Sequence, residues 1–157
     1  AVLEHGVFTV KFICDRGVSH EIVRHRVASY CQESTRYCNY SKDKFGNEIT
    51  VIKPCYLDET SPSTYVEWIK ACLFAEKSYF NLLEAGLTPQ EARAVLPNSL
   101  KTEVVMTANI REWRHFLKLR TSKAAHPQIR ELCTPLLKEL QKILPVLFSD
   151  INKEGNT

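Results

Sequence analysis

Between Glu103 and Arg120 the apolar residues change period, and that change fixes a strand followed at once by a helix. Val104, Met106, Ala108 and Ile110 alternate with Val105, Thr107 and Asn109, the two-residue repeat of a strand. From Arg111 onward Trp113, Phe116 and Leu117 recur at three- and four-residue steps, the repeat of a helix over 111–120. Arg120 continues that apolar stripe, while Arg111, His115 and Lys118 share another face. An arginine in line with Trp113 and Phe116 is partly desolvated and needs an acceptor. An internal carboxylate, a helix C-terminus or a bound anion would each serve.

The same patterning organises the remainder. Val7 to Ile13 alternates, with Phe8, Val10 and Phe12 on one face, and predicts a strand turned by Asp15-Arg16-Gly17. Ser19 reads as an N-cap, with Glu21 in the first turn of a helix extending to Ser29. Residues 42–47 read as a loop tip and 49–52 as a short strand. Pro62 to Ala85 is the clearest helix, through Tyr65, Trp68, Ile69, Cys72, Ala75, Tyr79, Leu82 and Leu83, and Gly86 ends it. Thr88-Pro89-Gln90-Glu91 has the form of a capping box opening a short helix that carries Arg93 and stops before Pro97. A final amphipathic helix runs from Ile129 to Leu147, with Pro135 expected to kink or divide it and a polar, fraying tail after Ser149.

Composition narrows the class. A chain of 157 residues is about one domain with a substantial core, and 44% hydrophobic with 25% charged residues is ordinary for a globular protein. A net charge of +3 does not by itself point to nucleic acid. No apolar run approaches the roughly 20 residues that span a bilayer. The six cysteines form no C-x-x-C pair, and reduced thiols in a cytoplasmic protein are expected. The chain opens at Ala1 instead of Met, so residues 1–157 read as a single domain whose N-terminal segment is missing.

The richest chemistry lies in Arg24-His25-Arg26-Val27-Ala28-Ser29-Tyr30-Cys31-Gln32-Glu33-Ser34-Thr35-Arg36-Tyr37. Arginine forks onto carboxylate, phosphate or imide groups in a fixed plane, which a solvated lysine face does not do. The five glycines are scattered, with neither G-x-G-x-x-G nor a Walker A loop. A phosphorylated cofactor would therefore be held by arginine and histidine side chains. His20 and His25 lie five residues apart, one too many for the one-face geometry of H-E-x-x-H, and no metal site is expected. Pro54-Cys55 is too common a pair to mark a nucleophile.

An arginine-histidine-arginine triplet followed by Ser34 and Arg36-Tyr37 resembles the signature of flavin-dependent thymidylate synthases. Further blocks resemble the same family in the same order: Leu3-Glu4-His5-Gly6, Arg93-Ala94-Val95-Leu96-Pro97, Asn109-Ile110-Arg111 and His115 to Arg120. The resemblance implies an α/β (α+β) fold with a twisted, mainly antiparallel sheet flanked by helices, assembled as a homotetramer with active sites shared between subunits. It implies conversion of dUMP to dTMP, with methylenetetrahydrofolate as carbon donor and NADPH reducing FAD. Arg120 matches the catalytic arginine that contacts the uracil. Glu21, Arg24, Gln32, Ser34, Arg36 and Arg93 match the dUMP-binding positions, Arg93 as phosphate ligand and Ser34 as a hydrogen-bonding group. Arg24, His25, Arg26, Gln32, Asn109, Arg111 and His115 match the FAD-binding positions, with Glu4 close to them.

The chain departs from the family pattern in places. Cys31-Gln32 stands where Asn-Glu is frequent, His115 where Asn is frequent, and Ala124 where His is frequent, with His126 two residues on. The alternative from another class is a nucleic-acid-binding module built on Arg111, Arg114, Lys118, Arg120, Lys123 and Arg130, interleaved with Trp113 and Phe116. A third is an oligomeric scaffold whose arginines form structural salt bridges.

Overall fold

A computed structural model of the chain describes residues 1–42, 45–57 and 62–152. They form two compact units, one of residues 1–12, 20–31 and 105–152, the other of residues 13–19 and 32–104. Three strands, β1 (Val7–Asp15), β2 (Ala28–Gln32) and β3 (Lys101–Asn109), form a sheet in the order β1-β3-β2. In the first unit Gly6 meets Ile110 and Thr9 meets Thr107; in the second Arg16 meets Leu100. One number falls as the other rises, so β1 and β3 run antiparallel. The elements mix helix and strand, with helices flanking this small antiparallel sheet.

Alternation sets the faces. In β1 Phe12 and Cys14 are buried and Thr9, Lys11 and Ile13 are exposed. In β3 Thr102, Val104, Met106 and Ala108 are buried, as the two-residue period requires.

The helix expected from Ser19 to Ser29 needs correction. Helix α2 is Arg16–Ile22. Asp15 supplies the start: its Oδ1 accepts from the Val18 N–H at 2.6 Å, satisfying a donor the first turn leaves open. Ser19 is one turn inside, donating its hydroxyl to the Arg16 carbonyl at 2.8 Å. The helix ends early because a strand claims residues 28–32. Ala28, Tyr30 and Gln32 are half-buried while Ser29 and Cys31 face out, a two-residue period that prevails over a weak helical pattern. The Arg24-His25-Arg26 triplet therefore occupies the turn between α2 and β2, not a helix.

In the first unit the core is aromatic. Phe8 stacks on Trp113 with centroids 4.8 Å apart, Phe12 lies 5.9 Å from Phe116, and Trp113 donates its indole N–H to the Phe8 carbonyl at 3.1 Å. Helix α1 (Val2–His5) and helix α6 (Pro127–Ile143) both contact α5 (Ile110–Arg120). Asn109 caps α5, its side-chain oxygen accepting from the Glu112 N–H at 2.9 Å. Pro135, expected to kink or divide the last helix, lies inside a continuous α6 on an exposed face. The break falls instead at Leu144, ahead of Pro145, which opens α7 (Pro145–Phe148); a residue before proline is pushed out of helical geometry. The tail does not fray at Ser149. Ile151 is buried, Arg114 pairs with Asp150, and Gln141 donates to the carbonyls of Phe148 and Ile151. The predicted tail past residue 152 lies outside the described residues.

The second unit centres on Tyr40, Tyr79, Ala92 and Leu100. The strand expected over 49–52 reduces to one antiparallel bridge between Val51 and Leu100, with Pro54, which lacks a donor, three residues on. Of the expected loop tip, residues 43 and 44 lie outside the described residues. Helix α3 (Pro62–Glu84) buries Cys72 and Tyr79. It closes on Gly86 at φ +96°, with Gly86 N–H to the Leu83 carbonyl and Leu87 N–H to the Leu82 carbonyl, both at 3.0 Å. Glu91 accepts from the backbone N–H and hydroxyl of Thr88 at 2.8 and 2.6 Å, which starts α4 (Pro89–Ala92). No helix among the described residues is long and apolar enough to cross a membrane.

Gly86 gives a stability prediction. A Cβ there would meet nothing within 4 Å, so only the left-handed backbone opposes it. Gly86→Ala should cost about 1 kcal/mol, seen as a lower midpoint in urea with an unchanged slope.

Candidate active site

The first unit gathers Arg120, Glu21 and His25, and sequence reasoning missed the fourth member, Glu112. Arg120 Nη1 donates to the Glu21 carboxylate at 2.7 Å, Nη2 donates to the Glu21 carbonyl at 2.9 Å, and Nε donates to His25 Nε2 at 3.0 Å. Two of the acceptors foreseen for a desolvated arginine, a carboxylate and the C-terminal turn of a helix, thus come from one residue. A guanidinium has five N–H donors. Three are used among the described residues, which leaves one on each terminal nitrogen of a side chain still 20% exposed.

The Arg120 bond also sets the state of His25. Because Nε2 accepts, the ring proton must sit on Nδ1, which donates to Glu112 Oε1 at 3.2 Å. His25 is buried, its ring edge-on to Phe116 at 4.8 Å. Burial, then the Arg120 charge, holds its pKa below the usual 6.5, against an opposing pull from Glu112. Tyr30 pins the turn: its hydroxyl lies 3.0 and 2.8 Å from the carbonyls of Ile22 and His25, and burial pushes its pKa up to about 12. Glu112 gives a sequence signal only as an acid in the first turn of α5, where the helix dipole favours one.

His25, Glu112 and His115 offer three ligand atoms within 4.8 Å of one another. A cation on His25 Nδ1 would force the ring proton onto Nε2, where Arg120 already points a donor. The trio suits hydrogen bonding better than metal ligation.

Elsewhere in this unit Arg24 and Arg26 are exposed, and their guanidinium groups have no partner among the described residues. His115 is exposed with its ring 5.7 Å from that of His25. Arg111 pairs with Glu4 at 2.7 Å, and Asn109 uses its carbonyl as the helix cap. His126 is exposed at the N-cap of α6, and Ala124 is exposed too.

In the second unit Gln32 donates to the Ser19 hydroxyl at 2.9 Å and lies 3.4 Å from the Thr102 hydroxyl. Arg93 donates to the buried hydroxyl of Thr35 at 3.3 Å. Ser34 accepts from the Arg36 N–H at 3.3 Å, and no base contacts its hydroxyl among the described residues. The exposed Arg36 guanidinium lies 5.5 Å from the centroid of the Tyr37 ring. None of the six cysteines is in a disulfide, and burial pushes the Cys14 thiol up to about 12, far from thiolate reactivity.

These contacts do not favour the nucleic-acid reading. Trp113 and Phe116 are fully buried, Arg120 is engaged by Glu21, Arg111 by Glu4, and Arg114 forks onto Asp150 at 2.7 and 2.5 Å. No aromatic of that face is left to stack a base, although Lys118 and Lys123 remain exposed.

Comparison with known proteins decides the family. The family described as "Thymidylate synthase complementing protein" matches residues 1–146. The chain belongs to this family. It is 34% identical over 143 residues to a flavin-dependent thymidylate synthase of Pyrococcus abyssi, covering 90% of this chain and 57% of that protein. It is 35% identical over 151 residues to one from Geobacter sulfurreducens, covering 96% and 63% respectively. A Sulfurisphaera tokodaii relative of the same name is 38% identical over 149 residues, covering 94% and 55%. The chain thus spans less than two thirds of the length of these thymidylate synthase relatives.

The state of His25 yields a pH prediction for this family member. Its pKa is lower folded than unfolded, so the unfolded chain binds more protons below about 6.5. The contribution to stability is fully present above that pH and is lost as pH falls through the folded pKa. Thermal midpoints measured from pH 8 to 5 should fall more steeply in the wild type than in His25→Gln. Parallel curves would contradict a neutral buried His25.

Proposed function

We propose that the chain carries the catalytic machinery of a flavin-dependent thymidylate synthase, an FAD-dependent methyltransferase. The substrate is dUMP and the product dTMP, with methylenetetrahydrofolate as carbon donor and NADPH as reductant. The observation that carries this reading is the fixed guanidinium of Arg120, tied at three points and offering one N–H on each terminal nitrogen. A pyrimidine imide presents acceptors in a plane that such a fork can meet. The guanidinium would stabilise negative charge developing on the imide as N3 ionises, and its preorganisation avoids a reorganisation cost during reaction. Family membership supports the same assignment.

Arg93 is the phosphate ligand in this reading, with Glu21, Arg24, Gln32, Ser34 and Arg36 completing the nucleotide set. Ser34 hydrogen-bonds and does not attack the uracil, in keeping with the absence of a contacting base among the described residues. FAD would meet Arg24, His25, Arg26, Gln32, Asn109, Arg111 and His115. The exposed guanidinium groups of Arg24 and Arg26, unpaired among the described residues, suit an anionic cofactor in a chain without a glycine-rich phosphate loop. Asn109 retains its amide nitrogen for such a contact while its oxygen caps α5. When bound, the flavin supplies the redox and carbon-transfer chemistry. We further propose the family's twisted, mainly antiparallel fold over residues 1–157 as one functional domain. The assembly is a cytoplasmic homotetramer with shared active sites.

Arg120→Ala tests the assignment. The variant should keep its fold and flavin absorbance while turnover falls about a hundredfold or more, the scale of losing a preorganised charge-stabilising donor. Wild-type turnover would remove Arg120 from the reaction. Ser34→Ala should keep measurable activity; its complete loss with intact dUMP binding would restore a nucleophile role.

A further inference from the structure

We propose that Glu112 is a positioning residue for Arg120, acting through the tautomer of His25. The inference rests on the reading of Arg120 as the group that meets the uracil imide. Four side chains form one directional series. Glu112 accepts from His25 Nδ1, His25 Nε2 accepts from Arg120 Nε, and Arg120 Nη1 donates to Glu21.

The direction has a consequence for geometry. An imidazole with its proton on Nδ1 offers Arg120 an acceptor; with the proton on Nε2 it would oppose one donor with another. Glu112 stabilises the first arrangement because a carboxylate only accepts. Its side chain is 12% exposed and that of His25 is 5% exposed, so water competes little for the bond. Glu21 alone restrains the two ends of the Arg120 fork; His25 restrains Nε and thereby the plane. An arginine set by both is poised in one orientation, and the two unused N–H groups are aimed with it.

The other groups around the ring do not replace Glu112. His115 is exposed and meets the ring edge-on at 5.7 Å. Tyr30 contacts the backbone carbonyl, not the ring. Phe116 is apolar. Glu112 is also held in place from below, since its own backbone N–H is bound by the Asn109 cap.

The test uses the full-length holoprotein with 15N-labelled histidine. The wild type should show His25 Nδ1 as the protonated nitrogen and Nε2 as the bare one. Glu112→Ala should weaken that preference and lower kcat for dUMP roughly tenfold or more, the order of loss when a change away from the chemistry misplaces a reacting group, with KM changing less. Glu112→Gln keeps a carbonyl acceptor and should restore both the tautomer and most of the turnover. A wild-type proton on Nε2 would overturn the proposal, as would a Glu112→Ala protein matching the wild type in spectrum and kcat. The spectrum is read without turnover. Full activity of Arg120→Ala is therefore recognisable as failure of the underlying reading and not of the Glu112–His25 bond.

Discussion

A guanidinium at the end of a buried aromatic stripe must be satisfied, and much of the first unit is arranged around that requirement. Trp113, Phe116 and Leu117 bury one face of α5 and carry Arg120 into a partly dry setting. An unpaired charge there would cost several kcal/mol. Glu21 answers with carboxylate and carbonyl from the last turn of α2. His25 answers with a ring nitrogen from the turn between α2 and β2, which favours one tautomer of the ring. Glu112 then takes the ring proton.

This arrangement separates two kinds of arginine. Arg120, Arg114 and Arg111 have internal carboxylates, while Arg24 and Arg26 in the same unit have none among the described residues. Paired arginines hold geometry; unpaired ones in a tight turn are suited to an external anion. The proposed synthase uses both kinds, with orientation at the imide and charge where a phosphorylated cofactor would bind.

The legible and illegible parts of the sequence divide along physical lines. Strong periods were readable: β1, β3, α3 and α5 follow from alternation or three-to-four spacing, and Gly86 and Glu91 mark their helix ends. The expected helix over 19–29 failed because Asp15 outcompeted Ser19 as cap and a weak strand pattern from Ala28 to Gln32 prevailed. The break in the last helix falls at Leu144, ahead of the Pro145 that opens α7, while Pro135 lies inside a continuous α6. For the site, the need of Arg120 for an acceptor was legible from its place on the stripe. Glu112 was not, because its partner is distant in sequence and a first-turn acid has a sufficient local explanation.

In the proposed function Arg120 and its supporting residues serve reductive methylation of dUMP. Tritium release from C5-labelled dUMP by the full-length protein tests it most directly, with FAD, NADPH and methylenetetrahydrofolate present. Release that requires both FAD and NADPH is expected. No release from a folded, flavin-loaded protein would contradict it.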